Sequence, residues 1–124
     1  MNTADFIKAY EAPRNGANRF YYHAMVRSFE YSDGVGECAQ AGLYWLLDIA
    51  ATELPKKIRA SGGYQFIFTV SVLASKASLS LLDISSNKEI WGMKLNFADM
   101  PDGDWKFFIA DEIERVAMIL PSEY

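Results

Sequence analysis

The sequence predicts an α+β domain, with N-terminal helices packed on a C-terminal antiparallel meander sheet of four to five strands. The apolar period is about 3.6 residues in the first half and 2 in the second, which indicates helices followed by strands. Short turns between the strands favour antiparallel pairing. The 124 residues, 51% of them hydrophobic, suffice for one core without a disulfide or structural metal. We therefore expect a single domain over residues 1–124.

The longest apolar run predicts a buried central helix over residues 43–54. Only Asp48 and Thr52 form a polar strip on this helix. The helix is shorter than the roughly 20 residues that span a bilayer. We expect Pro55 to end it, because proline clashes with the preceding turn and lacks an N–H group. One helix face carries Leu43, Leu46, Leu47, Ala50 and Leu54, and the opposite side carries Trp45 and Ile49.

The remaining elements follow from local patterns. Thr3 is the expected N-cap of a helix over residues 4–12. In residues 19–31 the side chains divide into two sets at alternating positions, which indicates a strand, although a helix is an alternative interpretation. Ser32, Asp33 and Gly34 begin a short helical segment to about residue 39, joined through Gly42 to the central helix. The predicted strands of the second half are 64–73, 77–84, 89–97, 105–110 and 115–120.

Composition narrows the classes of function. A net charge of −4 and a pI near 4.9 disfavour direct nucleic-acid binding through phosphate contacts. The single cysteine, Cys38, forms no internal disulfide, which fits a reducing cytoplasm. The N-terminus lacks the basic and apolar regions of a secretion signal. We expect a cytoplasmic protein that does not enter a membrane.

Four residues are candidates for chemistry. His23 is the only histidine and has a suitable pKa range for a general base, but packing is the commoner role of a lone histidine. Asp33 has the sequence context of a helix cap. Asp48 in an apolar helix suggests a buried carboxylate, either hydrogen-bonded across the core or acting as an acid or base. Cys38 lacks a nucleophile signature, and one cysteine with one histidine makes a zinc site improbable. We expect no cofactor and no metal.

Carboxylates crowd the last strand connections, with Lys106 the one cation among them. Such runs are usually solvated loops, but they also suit a negative surface that meets a basic partner. Trp91, Trp105, Met100 and Tyr124 lie near turns, where they are either interface anchors or ordinary core residues. The predicted partner-binding set is Asp99, Asp102, Asp104, Trp105, Asp111, Glu112, Glu114, Trp91 and Tyr124. Sixteen acidic residues are few for a complete DNA mimic.

Four segments carry a resemblance to a known family. They are Tyr-Ser-Asp-Gly-Val at 31–35, Gly-Leu-Tyr-Trp-Leu-Leu-Asp at 42–48, Phe-Ala-Asp-Met-Pro at 97–101 and Leu-Pro-Ser-Glu-Tyr at 120–124. Over residues 15–124 the chain resembles a family of small uncharacterised single-domain proteins of bacteria, phages and other mobile elements. It departs from the family pattern at Ser32, Leu43, Ala98 and Met100. The resemblance implies a fold and a genomic setting, and no mechanism.

Three hypotheses follow. The first, which joins the resemblance to the acidic composition, is a non-enzymatic protein that binds and inhibits a host defence complex, as anti-CRISPR proteins do. The second is a small hydrolase or transferase that uses His23, Asp33 and Asp48. The third is a self-associating structural protein, in which a long strand over residues 64–73 lies at a sheet edge and pairs with a second copy to form a homodimer.

Overall fold

A computed structural model describes residues 1–112 and 114–124 and has the predicted α+β fold. The helices are α1 (Thr3–Glu11), α2 (Asp33–Cys38) and α3 (Tyr44–Ser61), with a π-helical turn at Ala39–Leu43 and a 3-10 turn at Pro121–Glu123. The strands are β1 (Phe20–Tyr22), β2 (Phe29–Ser32), β3 (Gln65–Leu73), β4 (Lys76–Asp83), β5 (Lys88–Leu95), β6 (Gly103–Glu112) and β7 (Arg115–Ile119). In the described part of the chain, no helix is long and apolar enough to cross a membrane.

One seven-stranded sheet has the order β1-β2-β7-β6-β3-β4-β5. The strand count exceeds the predicted four to five because the ambiguous stretch 19–31 forms the hairpin β1–β2, which pairs with β7. Successive strands pair antiparallel through β3–β4–β5 and again through β6–β7, as expected for a meander. Two pairings were not predicted: β6 lies beside β3, and β2 runs parallel to β7.

The expectation that residues 64–73 lie at a sheet edge is wrong. Their strand, β3, pairs with β4 on one side and β6 on the other. Both backbone edges of β3 are therefore used, and this strand cannot pair with a second copy.

The core lies between the three helices and one face of the sheet. Side chains of β3 alternate in burial, with Phe66, Phe68 and Val70 inaccessible to solvent. On the same face, Phe6 of α1 meets Trp105 of β6 edge-on, with ring centroids 4.9 Å apart. We call this buried side the inner face and the opposite side the outer face.

α3 continues past Pro55 to Ser61, so the prediction that Pro55 ends it is wrong. The buried stripe extends beyond the proline, since Leu54, Pro55 and Ile58 are all buried. Burying Ile58 offsets the loss of one backbone hydrogen bond at Pro55. The helix is also not buried all round, because Tyr44 is 55% exposed and Asp48 is exposed.

The caps of the first two helices differ from those expected. Asn2, not Thr3, caps α1, because its side chain accepts the Asp5 N–H at 3.1 Å. Ser32, not Asp33, caps α2, because its hydroxyl accepts the Val35 N–H at 3.1 Å. The predicted joint at Gly42 is present, and its φ of 124° requires glycine at the kink between α2 and α3.

The buried carboxylate of Glu123 connects the end of the chain to α2. It accepts hydrogen bonds from the Gly34 N–H at 3.1 Å, the Leu120 N–H at 2.8 Å and the Ser32 hydroxyl. We call these four residues the Glu123 site. A Cβ added at Gly34 would lie 2.7 Å from the Glu123 carboxylate, so only glycine leaves room for it.

Candidate functional site

The helices leave the outer face of the sheet uncovered. α1, α2 and α3 all pack on the inner face, through contacts such as Tyr10 with Phe107. The outer face is polar over β4 and β5, where Ser78, Gly92 and Lys94 are exposed. Its apolar part is smaller and lies where Phe20 and Tyr22 of β1 approach Phe108 of β6 and Ile119 of β7.

We call this apolar region of the outer face the aromatic patch, which comprises Phe20, Tyr22, Phe108, Ile119 and Tyr124. Phe20, Tyr22 and Tyr124 are 45%, 55% and 70% exposed. The Tyr124 ring packs on Phe108 with centroids 4.5 Å apart. A cavity of about 110 Å³ opens between these rings and is bordered by Gln65 and Glu112.

Ion pairs border the aromatic patch on the β7 side. Arg115 Nε lies 3.2 Å from Glu30 and 3.6 Å from Glu112. Glu30 is buried, whereas Glu112 and Glu114 at the β6–β7 turn are exposed. Because Arg115 is shared by two carboxylates, this end of the patch keeps an excess of negative charge.

The predicted acidic residues form two groups rather than one. Asp99, Asp102 and Asp104 lie before or at the start of β6, and Asp111, Glu112 and Glu114 lie at or after its end. From Asp104 to Glu112 the strand spans roughly 26 Å at about 3.3 Å per residue.

The first acidic group is partly used in local contacts. The Asp99 carboxylate pairs with the Met1 amino nitrogen, and Asp102 accepts the Ala74 N–H at 3.0 Å. Asp102 and Asp104 border a groove of about 720 Å³ that also contains Lys76 and Lys94. Charges of both signs therefore line this end of the outer face.

The predicted aromatic anchors divide between core and surface. Met100 is buried, and Trp105 is half-buried against α1, donating its indole N–H to the Pro101 carbonyl at 2.9 Å. Trp91 packs against Phe68 on the inner face. Among these four residues, Tyr124 has an exposed ring and lies on the outer face.

The residues of the enzymatic alternative are only partly brought together. His23 Nδ1 accepts the N–H groups of Met25 and Val26, each at 3.1 Å, which places the proton on Nε2. Nε2 then donates to Asp48 Oδ1 at 2.8 Å. With both ring nitrogens engaged, the imidazole has no free lone pair to take a proton from a substrate.

The two aspartates of this alternative differ from expectation. Asp48 was expected to be buried, but its side chain is 69% exposed. The expectation is wrong because Tyr44, Asp48 and Thr52 lie on one side of α3 that faces solvent, and all three are exposed. Asp33 follows the end of β2 and accepts the Asn18 N–H at 3.2 Å, so it is not part of the His23 cluster.

Cys38 is buried and its thiol is unreactive at neutral pH. Burial raises the pKa of its thiol to about 12, so the nucleophilic thiolate does not form at neutral pH. Among the described residues, no group of three or more His, Cys, Asp or Glu side chains is arranged to hold a metal ion.

Residues 12–124 match the sequence model of a family described as "Family of unknown function (DUF6876)". The chain belongs to this family. DUF6876 membership agrees with the expectation of an uncharacterised family that the sequence motifs gave. No protein of curated function matches this DUF6876 chain.

One solved structure is similar to this DUF6876 protein: the crystal structure of a protein of unknown function from Enterococcus faecalis. The two share 21% sequence identity, and the similarity covers 78% of this chain and 90% of that chain with a TM-score of 0.53. At this identity the likeness supports the fold alone.

The sequence reasoning missed most of the aromatic patch. Phe107 and Phe108 are adjacent in a predicted strand, and adjacent strand residues face opposite sides. One of them therefore had to lie on the face away from the helices, and Phe108 does. Phe20 and Ile119 were not identifiable in the same way, because the pairing of β1 and β2 with β7 is non-local.

Proposed function

We propose that this protein is a non-enzymatic interaction protein that binds a larger host protein assembly through the outer face of its sheet. The observation that supports this proposal most strongly is the exposure of Phe20, Tyr22 and Tyr124 on one face of the sheet. Contiguous exposed apolar surface of this kind typically marks a site of protein contact. Tyrosine and phenylalanine are also favoured at interface centres.

The size of the cavity favours a protein side chain over a metabolite. The space between Phe20, Phe108 and Tyr124 is about 110 Å³, whereas small-molecule sites take about 300–1,000 Å³. It suits one apolar side chain of a partner. Glu112 and Glu114 at the border favour a partner whose anchor is flanked by lysine or arginine.

The narrower proposal is that the partner is a host defence complex, which the protein inhibits in the bacterial cytoplasm, as an anti-CRISPR protein would. Its support is the resemblance of the motifs at 31–35 and 120–124 to mobile-element proteins, together with the acidic composition. It extends the binding proposal and can fail independently of it.

Affinity capture with matched variants tests both levels. The immobilised full chain is exposed to a bacterial lysate, and bound proteins are identified by mass spectrometry. Tyr124→Ala should reduce capture of the main partner by about tenfold or more, as for an interface hot spot. Phe97→Ala is the matched control, because Phe97 is 71% exposed but lies outside the patch.

A second pair of variants locates the charged part of the contact. Glu112→Gln with Glu114→Gln should weaken capture. Asp102→Asn with Asp104→Asn should not weaken capture, and the amide oxygen introduced at position 102 can still accept the Ala74 N–H.

Equal capture by wild type and Tyr124→Ala, or no capture at all, would refute the binding proposal. A dimer in light scattering that Tyr124→Ala dissociates would replace the host partner with a second copy. Patch-dependent capture of a protein unrelated to defence would refute only the narrower proposal.

A further inference from the structure

A second groove lies on the helix-bearing side of the sheet, between the β1–β2 hairpin and α2. Its cavity is about 380 Å³, and it is separate from the aromatic patch on the outer face. We call it the tyrosine groove. Its lining residues are Tyr21, Tyr31, Tyr44, Asp33, Gly36, Glu37 and Gln40.

Three tyrosines from different elements converge in this groove. The rings of Tyr21 and Tyr31 are stacked, with centroids 5.8 Å apart and planes inclined by 29°. Tyr44 lines the same groove. Burial raises the pKa of Tyr31, and the neighbouring Tyr44 and Tyr21 raise it further. Tyr21 and Tyr44 nevertheless stay 43% and 55% exposed, so their rings are available to a ligand.

Gly36 of α2 lies beside the ring of Tyr31, the central tyrosine of the groove. A Cβ added there would lie 3.4 Å from Tyr31 Cε2, an ordinary van der Waals distance, so the ring lies beside α2 with room for a methyl group between them. The stacked rings of Tyr31 and Tyr21 give the groove an aromatic floor. A preformed aromatic surface costs little ordering when a ligand binds.

Carboxylates border these rings. Asp33 Oδ1 accepts the Asn18 N–H, and the contacts described for this residue leave Oδ2 for a ligand. Glu37 is 54% exposed and pairs with Arg14. The charge of Arg14 is therefore already balanced by Glu37. Tyrosine faces and carboxylates both attract cations, the rings through their quadrupoles and the carboxylates through charge.

We propose that the tyrosine groove binds the guanidinium group of an arginine side chain presented by a partner protein. Arginine suits the groove better than lysine, because its planar group stacks on aromatic rings while donating paired hydrogen bonds to a carboxylate. The Gln40 side-chain carbonyl is a further acceptor in the lining. The inference is independent of the aromatic patch, since the two surfaces lie on opposite sides of the sheet.

Nuclear magnetic resonance titration of the labelled full chain tests this proposal. The probes are the peptide Gly-Gly-Arg-Gly-Gly and the same peptide with neutral citrulline in place of arginine. The arginine peptide should produce saturable shifts at Tyr21, Tyr31, Tyr44 and Asp33, with at least about tenfold stronger binding than the citrulline peptide. Free arginine that binds more tightly than the peptide would overturn the assignment to a protein side chain.

Variants separate the two kinds of contact. Asp33→Asn keeps an oxygen for the Asn18 N–H and should weaken binding by about tenfold through loss of charge. Tyr44→Ala removes one exposed ring and should weaken it by about two- to fivefold. Tyr64→Ala, which removes a ring 62% exposed outside the groove, should change nothing. Equal binding of both peptides, shifts confined to Glu112 and Glu114, or full binding by Asp33→Asn would each overturn the proposal.

Discussion

Replacing Glu123 by alanine tests whether the end of the chain stabilises the start of α2. The side chain is 5% exposed, and its carboxylate accepts hydrogen bonds from Ser32, Gly34 and Leu120. Alanine would leave all three donors without this acceptor in a buried place. Because a buried donor left unpaired loses its hydration as well as its bond, the variant should be strongly destabilised.

The magnitude follows from these three contacts. A hydrogen bond to a charged group contributes about 1.5–3 kcal/mol, and an unpaired buried donor costs about 1–3 kcal/mol. The contributions are not additive because the three donors share one carboxylate. We expect Glu123→Ala to lower the free energy of unfolding by about 3–5 kcal/mol, a large part of the roughly 5–15 kcal/mol typical of a domain. Glu53→Ala, which removes an exposed carboxylate on α3, should change it by less than about 0.5 kcal/mol.

A double-mutant cycle with Gly34→Ala isolates the contact. In the wild-type background the added Cβ lies 2.7 Å from the Glu123 carboxylate, and overpacking of this kind costs about 1–3 kcal/mol. In the Glu123→Ala background the obstacle is gone, so alanine at position 34 should be neutral or slightly stabilising. The two changes should therefore be less destabilising together than the sum of their separate effects.

Urea denaturation followed by tryptophan fluorescence measures all four members of this cycle. An unchanged denaturant dependence, with a shifted midpoint, identifies a change in stability alone. A loss below about 1 kcal/mol for Glu123→Ala would show that its three hydrogen bonds are not formed in solution. Strict additivity with Gly34→Ala would refute the close approach of these two residues.

Three further predictions concern Cys38, the pair of His23 and Asp48, and the part of α3 that follows Pro55. Burial raises the pKa of Cys38 to about 12, so its thiol should resist alkylation until the protein unfolds, which mass spectrometry can detect. Because the thiol of the unfolded chain ionises near pH 9, the free energy of unfolding should fall as the pH rises from about 9 to about 12. His23→Ala should lower the free energy of unfolding by about 1–3 kcal/mol by leaving two backbone N–H groups unpaired. Asp48→Asn should lower it by less than about 1 kcal/mol. If the two variants lose equal free energy of unfolding in denaturation experiments, the tautomer described above is contradicted. Ile58→Ala should cost about 2–5 kcal/mol and Lys57→Ala almost nothing, whereas similar midpoints would show that α3 does not pack beyond its proline.

The strands of the second half were predicted within two residues at both ends. Alternating burial is a local property, and each strand of this half carries it in its own sequence. Their order in the sheet was not predictable in the same way. Nothing in β6 alone distinguishes pairing with β3 from pairing with β5, and the parallel pairing of β2 with β7 joins segments from opposite ends of the chain.

The candidate sites show the same division between local and non-local information. The sequence left two alternatives for these aromatic residues, an exposed interface anchor or a core residue. Tyr124 is exposed, whereas Trp91 and Trp105 pack on the inner face. The tyrosine groove joins β1, β2 and the start of α3, so no contiguous stretch of sequence indicates it. Asp48 was misjudged because its neighbours in the helix are apolar, although its partner His23 comes from a distant hairpin.

Glu123 and Tyr124 link the stability of the fold to the proposed binding surface. The Glu123 carboxylate accepts a hydrogen bond from Ser32, which lies 91 residues earlier in the chain. The ring of the following residue, Tyr124, packs on Phe108 at the outer face. Breaking the Glu123 site should therefore also release Tyr124 from the aromatic patch. It follows that Glu123→Ala should weaken partner capture as well as folding, whereas Tyr124→Ala should weaken capture while leaving the midpoint of denaturation nearly unchanged. If Tyr124→Ala instead lowers stability as much as Glu123→Ala, the ring is a structural residue and the aromatic patch loses its strongest candidate anchor.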